Sequence, residues 1–137
     1  MYKQVHCKRA RGNRSSERLQ CTNEEAIMKA VRCHDHEIHV HEVPPPSGEG
    51  IRVRVASAGI CGSDLHFWQQ GFPIPFTLGH EIAGIAADGT PVAIEPTVYC
   101  GHCERCVRGD YNMCVRGSEA VMGVGRDGGM TEELIVP

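Results

Sequence analysis

The amino-acid sequence predicts a mainly β fold, a partly closed β-barrel built from short strands. After Met28, strand-like segments of about six residues alternate with turn signals. The chain has 16 glycines and 8 prolines but only 1 Trp, 3 Tyr and 3 Phe, a composition that favours turns and strands over a helical bundle. At 137 residues it is long enough for one domain with its own core, which leaves no room for a second, nucleotide-binding domain.

The first predicted elements are a hairpin, a loop and a strand. Residues 30–34 and 38–43 predict two strands that pair around residues 35–37. The run 44–50, rich in proline and glycine, predicts a loop. Residues 51–56 alternate apolar side chains with arginine, the pattern of a half-exposed strand.

The later elements also alternate short strand-like or helical segments with turn signals. Residues 63–70 predict a short helical turn. Residues 81–87 and 90–95 predict a second hairpin, with Asp88-Gly89 as its tight-turn signal. A final strand is predicted at residues 133–136.

Charge is divided unevenly along the chain. Residues 1–27 contain six basic and three acidic residues, whereas the whole chain carries a net charge of −3. We predict that residues 1–27 are a disordered tail or an over-extended start and that residues 28–137 form the domain. Because that domain is acidic, it is not expected to bind nucleic acid. No window reaches the ~18 uninterrupted apolar residues of a membrane helix, and no signal peptide is visible, so we predict a cytoplasmic protein without a membrane partner.

Four of the eight cysteines are clustered at Cys100, Cys103, Cys106 and Cys114. The Cys-x2-Cys-x2-Cys spacing suits one small ion, and four thiolates around zinc leave no open position, which makes such a centre structural. An iron–sulfur cluster is the alternative, since bacterial ferredoxins use the same spacing. Ferredoxins place the fourth cysteine three residues later, before a proline, whereas here seven residues intervene and Val115 follows. The sequence therefore favours zinc.

A second set of metal-binding residue types lies upstream. Cys61 and His80, on glycine-flanked segments, can supply two of the three protein ligands of an open zinc site, which keeps a position for water or substrate. Asp64 or Glu81 can orient the imidazole. Taken alone, a buried cysteine and a satisfied histidine are the better interpretation, but the cysteine lobe twenty residues further on favours a metal site.

The predicted helical turn carries further candidate residues. Ser63 and His66 offer a hydroxyl and an imidazole for moving a proton off a zinc-bound alcohol. Phe67, Trp68 and Phe72 either line a substrate pocket or form a hydrophobic plug over the barrel.

These motifs, taken in order, resemble one known family. They are Gly-Ile-Cys-Gly-Ser-Asp-Leu-His at 59–66, Leu-Gly-His-Glu-Ile-Ala-Gly at 78–84, and Glu-Pro with Cys-Gly-x-Cys-x2-Cys-x7-Cys at 95–114. The family is the zinc-dependent alcohol dehydrogenases of the medium-chain dehydrogenase/reductase superfamily. The resemblance covers only its N-terminal catalytic domain, a GroES-like, partly closed β-barrel with a structural zinc lobe. It implies oxidation of a small alcohol or polyol to a carbonyl with hydride transfer to NAD or NADP.

The resemblance also implies a role for each motif residue. The residues concerned are Cys61 and His80 as catalytic-zinc ligands, Glu81 beside that metal, Asp64 as a brace, Ser63 and His66 as a proton relay, and Cys100, Cys103, Cys106 and Cys114 around the structural zinc. Family members are usually homo-oligomers.

The chain departs from this family in two respects. Between Gly84 and Val92 it lacks the usual longer stretch with a Val-Gly-Asp-Arg-Val-like segment, although the Asp88-Gly89 turn can close the hairpin directly. The family's third catalytic-zinc ligand and its Rossmann domain lie beyond Pro137. We therefore expect a partial chain that is inactive by itself. The alternative is a stand-alone zinc-stabilised β-barrel that serves binding or assembly without catalysis.

Two other patterns receive no catalytic role. Gly123-Val-Gly125-Arg-Asp-Gly128 matches the dinucleotide fingerprint Gly-x-Gly-x-x-Gly, but that fingerprint needs a preceding strand, a following helix and an acidic residue ~20 positions on. A strand-like run follows instead, so we predict a loop beside the active-site cleft. Surface histidines are expected on the first hairpin, at positions 34, 36, 39 and 41.

Overall fold

The computed structural model describes residues 26–137 and, in the head of the chain, the backbone of two short strands. These strands, β1 (His6–Arg9) and β2 (Leu19–Thr22), pair antiparallel, and the sequence predicted neither of them. The rest of the predicted tail, apart from its last two residues, lies outside the described residues, and its assignment as a tail stays a prediction.

The described chain is mainly β, as predicted. Its remaining strands are β3 (Met28–His34), β4 (Glu37–Val43), β5 (Ile51–Gly59), β6 (Glu81–Ala86), β7 (Pro91–Ile94) and β8 (Glu133–Val136). Its helical segments are α1 (Gly62–Gln70), α2 (Glu104–Val107) and two 3-10 turns, Tyr111–Met113 and Gly117–Ala120. Each predicted strand is present, although β3 begins earlier and β5 ends later than the sequence pattern indicated.

The first hairpin joins β3 to β4 through Asp35 and His36. Both residues have positive φ, 47° and 63°, as a two-residue turn that matches the twist of the strands requires. Among the described strands, β4 pairs with β3 alone, and it is exposed along nearly its whole length. The histidines of this hairpin are exposed, as expected.

The main sheet has four antiparallel strands in the order β7-β6-β5-β8. Strand β5 contains a bulge between Val55 and Ser57, which lets a long strand bend. The turn between β6 and β7 is longer than a two-residue Asp-Gly turn. Asp88 and Gly89 lie within a connection closed by Ala86 N–H donating to the Thr90 carbonyl at 2.8 Å.

Two apolar clusters form the core. One lies against the main sheet and contains Val53, Ile82, Met122 and Leu134. The other lies under the first hairpin and contains Cys33, Ile74 and Leu78, with Phe67 and Met130 packed against it. Phe67 is therefore part of a hydrophobic plug.

The first hairpin and the main sheet belong to separate ladders. Single bridges, Ala30 to Thr131 and Cys33 to Ile74, tie the hairpin to neighbouring loops. This arrangement fits a partly closed barrel. Among the described residues, no helix has the length and apolar character needed to cross a membrane.

Candidate metal centres

The cysteine lobe folds the chain around one point. Cys100 follows β7, Cys103 caps the start of α2, Cys106 lies within α2, and Cys114 ends the 3-10 turn that follows. Gly101, at φ +77°, allows the sharp reversal that places the first two cysteines side by side. All four sulfur atoms lie within 4.8 Å of one another. The structure thus brings together every residue that the sequence assigned to this centre.

The sulfur spacing fits a single tetrahedral ion. Cys106 Sγ lies 3.8 Å from Cys100 Sγ and 3.4 Å from Cys103 Sγ. Zinc–sulfur bonds of about 2.3 Å place the corners of a tetrahedron about 3.8 Å apart, whereas a disulfide needs about 2.05 Å. In the described range the four cysteines are free thiols. They could therefore hold a structural zinc.

Backbone donors point at these sulfurs. The N–H of Cys103 donates to Cys100 Sγ, and the N–H of Cys100 donates to Cys114 Sγ, each at 3.4 Å. The pKa of Cys103 is lowered to about 6, chiefly by the N–H of Val115, whereas desolvation raises the pKa of Cys106 to about 12. Because the thiolate is the form that binds metal, N–H donors that stabilise negative sulfur suit a metal centre.

A second candidate centre forms where α1 and β6 begin. One ligand atom from each of Cys61, His80 and Glu81 lies within 4.8 Å of the other two. Cys61 is the N-cap of α1, and Glu81 is the first residue of β6. Cys61 and His80 are half-buried and Glu81 is exposed. The structure therefore joins three residues that lie in two separate sequence motifs.

Asp64 contacts both halves of this centre. Its Oδ2 accepts the N–H of Cys61 at 2.9 Å, and its Oδ1 lies 3.7 Å from His80 Nδ1. Asp64 is only 5% exposed. Within the described part of the chain, neither Asp64 Oδ1 nor His80 Nδ1 has a hydrogen-bond partner, although the two atoms face each other. A small movement of the ring would join them, and a carboxylate on one ring nitrogen is the usual way to orient an imidazole that binds metal through the other.

The other ring nitrogen of His80 faces Ser63. The Ser63 hydroxyl lies 3.2 Å from His80 Nε2. His66, further along α1, is exposed. Ser63 is thus in contact with the candidate ligand, whereas proton transfer between Ser63 and His66 stays a prediction.

Gly59 makes room for Glu81, a role the sequence analysis did not assign. The two residues pair across β5 and β6. A Cβ atom at position 59 would lie 2.3 Å from Glu81 Oε2, so the carboxylate lies directly over the glycine. The only signal in the sequence was the position of Gly59 shortly before Cys61.

The predicted glycine-rich loop lies beside this centre. Gly123 and Gly128 both approach the backbone of Gly79, the residue that precedes His80. The segment leads into strand β8 and not into a helix. This placement agrees with a loop next to the site.

Comparison with known proteins gives consistent matches. Residues 47–137 match the family model of the alcohol dehydrogenase GroES-like domain. The starvation-sensing protein RspB of Escherichia coli is 41% identical in an alignment of 109 positions that covers 70% of this chain and 32% of that protein. Sorbitol dehydrogenase of Bacillus subtilis is 42% identical in an alignment of 106 positions that covers 64% of this chain and 30% of that protein. The chain spans about a third of the length of these curated relatives.

Solved structures show the same likeness. A zinc-binding dehydrogenase from Sinorhizobium meliloti bound to NADP has a TM-score of 0.72 at 35% identity, over 82% of this chain and 36% of that chain. The rspB alcohol dehydrogenase from Escherichia coli complexed with NADH has a TM-score of 0.71 at 37% identity, over 81% and 36%. A cobalt- and zinc-bound thermostable alcohol dehydrogenase from Pyrobaculum aerophilum has a TM-score of 0.68 at 26% identity, over 82% and 40%.

Proposed function

Because the chain belongs to the alcohol dehydrogenase GroES-like domain family, we propose that it is the zinc-bearing catalytic portion of an alcohol or polyol dehydrogenase. The relatives named above include dehydrogenases, which supports a general oxidoreductase role. Sorbitol dehydrogenase and L-arabinitol 4-dehydrogenase are among the similar proteins, and so are L-threonine 3-dehydrogenases, so the proposed substrate class stays a small alcohol or polyol. A cytoplasmic location stays a prediction from the sequence.

The observation that carries this proposal is the meeting of Cys61, His80 and Glu81, with ligand atoms within 4.8 Å. The set combines a thiol, an imidazole and a carboxylate, all of which are zinc-binding groups. Asp64 Oδ1 and His80 Nδ1 support it, because they face each other 3.7 Å apart and a carboxylate there can orient the imidazole toward a metal ion.

Each residue around the centre has a separate role in the proposed reaction. A zinc ion held by Cys61 and His80 would act as a Lewis acid on the oxygen of an alcohol substrate. The Ser63 hydroxyl contacts the same His80 nitrogen that a metal ion would take, so it is placed to accept a proton from a substrate at that point. Asp64, whose Oδ1 lies 3.7 Å from His80 Nδ1, is placed to orient the imidazole toward the site. The exposed His66 carries the proton onward to solvent.

The hydride acceptor is inferred from the relatives. Two of the similar structures contain NADP or NADH, and we infer the same nicotinamide cofactors for this protein. In residues 26–137, the one Gly-x-Gly-x-x-Gly pattern precedes a strand and not the helix that a dinucleotide site requires. The cofactor would therefore bind to a part of the enzyme that these residues do not supply.

A metal titration tests the proposed centre. We expect the chain to bind one metal ion in the cysteine lobe and a second at Cys61 and His80. His80→Ala should lose the second ion alone, because it removes the imidazole ligand and leaves the lobe intact. His41→Ala, which changes an exposed histidine of β4, is the matched control and should keep both ions. Metal content after removal of free ions measures the difference. A His80→Ala variant that keeps both ions would contradict the proposed site.

A turnover assay tests whether this portion of the enzyme needs a separate cofactor-binding part for activity. We expect the 137 residues on their own to oxidise little or no alcohol with NAD or NADP. The described residues contain no dinucleotide-binding site for the nicotinamide cofactor that accepts the hydride. Nicotinamide absorbance with sorbitol and simple alcohols measures the rate. Sustained, alcohol-dependent reduction of either cofactor would show this expectation to be wrong.

A further inference from the structure

Residues 123–130, which we call the glycine loop, run beside the segment that leads into His80. Three backbone N–H groups of the loop donate at 2.8 Å to three carbonyls of that segment: Gly128 to Thr77, Met130 to Leu78, and Gly129 to Gly79. The loop backbone therefore holds the carbonyls of the three residues just before the candidate ligand, while the Leu78 N–H donates to the Val31 carbonyl of β3 at 2.9 Å.

The glycine loop approaches the Gly79 backbone so closely that there is no room for a side chain at Gly123 or Gly128. A Cβ atom on Gly128 would lie 2.1 Å from the carbonyl oxygen of Gly79, and one on Gly123 would lie 2.8 Å from the same atom. Gly79 itself has φ +93°, a conformation that favours glycine. Backbone packing therefore accounts for Gly123 and Gly128 without any phosphate ligand.

Asp127 adds a side-chain bond to this contact. Its Oδ1 accepts the N–H of Thr77 at 2.8 Å, and Thr77 is only 3% exposed. Since Gly128 N–H binds the Thr77 carbonyl, two successive loop residues hold both polar groups of the Thr77 backbone. A buried N–H that loses its acceptor is costly, so the segment would have to shift without Asp127.

The segment held in this way determines where His80 stands. Ser63 and Asp64 on α1 face the two nitrogens of its ring, as described above. The position of its backbone depends on Thr77, Leu78 and Gly79, which directly precede it. Metal binding needs both the ring orientation and the backbone position of His80, because the His80 ligand atom must stay within reach of Cys61 Sγ.

We propose that Asp127 is a positioning residue for the second metal centre. By holding the Thr77 N–H, it sets the backbone that places His80 against Cys61. Asp127 acts through the backbone and contributes no ligand atom to the centre. The proposal rests on the proposed function of Cys61 and His80 as metal ligands.

Cobalt(II) titration of the 137-residue chain, with zinc already in the cysteine lobe, tests this role. Binding at Cys61 is followed through the thiolate-to-cobalt absorption. We expect Asp127→Ala to weaken cobalt affinity about tenfold, the range seen when a residue that supports a metal ligand is removed. Asp127→Asn keeps an acceptor oxygen for Thr77 and should recover most of the affinity.

Asp88 provides a matched control, because it makes the same kind of bond away from the site. Its Oδ1 accepts the N–H of Thr90 at 2.9 Å in the turn between β6 and β7. Asp88→Ala and Asp88→Asn should leave both the cobalt affinity and the thiolate absorption unchanged. If Asp127→Ala does not fold, the comparison is made between Asp127→Asn and Asp88→Asn, where a smaller weakening confined to position 127 is expected.

The outcomes separate this inference from the proposed function. Weaker binding in the Asp127 variants alone supports the positioning role. Equal affinity in the wild type and both Asp127 variants, or equal weakening in the Asp88 variants, overturns that role and leaves the metal centre standing. A wild-type chain that takes up no cobalt beyond the lobe overturns the centre, and the positioning role with it.

Discussion

Replacing Cys103 by serine is expected to empty the cysteine lobe of zinc and to unfold it. Cys103 Sγ lies 3.4 Å from Cys106 Sγ, and its pKa is lowered to about 6, so it is a ready thiolate ligand. Residues 100–114 contain only short helical turns, and Cys114 is the one buried cysteine among the four. In small zinc domains the metal contributes roughly 10–16 kcal/mol to folding, so the loss of one ligand is a large change.

Zinc content and thermal denaturation measure this effect together. Cys33→Ala is the control, because Cys33 is also a buried thiol but packs in the core beside Ile74 and Leu78. It should keep its zinc and lose only the stability that a small cavity costs. Full zinc content in Cys103→Ser would contradict a structural zinc in the lobe, and a coloured, iron-containing protein would favour the iron–sulfur alternative.

Adding one methyl group at Gly128 is expected to destabilise the fold by about 3 kcal/mol, at the upper end of the cost of overpacking. The new Cβ would lie 2.1 Å from the Gly79 carbonyl oxygen, 2.7 Å from Gly123 Cα and 2.7 Å from the Leu78 carbonyl oxygen. All three are backbone atoms, which cannot rotate away as a flexible side chain can. The glycine loop must therefore separate from the segment before His80, or the variant must unfold.

Urea denaturation of Gly128→Ala and Gly62→Ala provides the comparison. Gly62 is the first residue of α1, and apart from its chain neighbours and the helix's own backbone no atom lies within 4 Å of the place that a methyl group would take there. Alanine at this position should be neutral or slightly stabilising, since it favours the helix and restricts the unfolded chain. Wild-type stability in Gly128→Ala would show that the loop and the Gly79 backbone are not in close contact.

Local patterns predicted most of the fold, and tertiary contacts decided where the elements end. The alternation in residues 51–56 indicated β5 because one face of a strand is buried, and Val53 is 1% exposed. The strand continues to Gly59, however, because Gly59 pairs with Glu81 on β6. The residues after 56 do not by themselves indicate where β5 ends, since the partner strand lies beyond α1.

The cysteine lobe was predictable for a physical reason. Its four ligands lie within residues 100–114, so the short chain between them limits how far apart the sulfurs can be. Cys61 and His80 are separated by α1 and a long connection, and their spacing in the sequence leaves their separation in space open. The family resemblance, and not the spacing, indicated that they meet.

What the sequence determined by itself was the mainly β fold, the zinc-type cysteine lobe and the family. These depend on local alternation, on short-range spacing and on motif order, all of which can be read along the chain. The tertiary structure alone decided that Asp64 faces His80 and that Asp127 and the glycine loop hold the segment before it. Those contacts join residues far apart in sequence, so they depend on the register of the strands and on how closely two backbones pack.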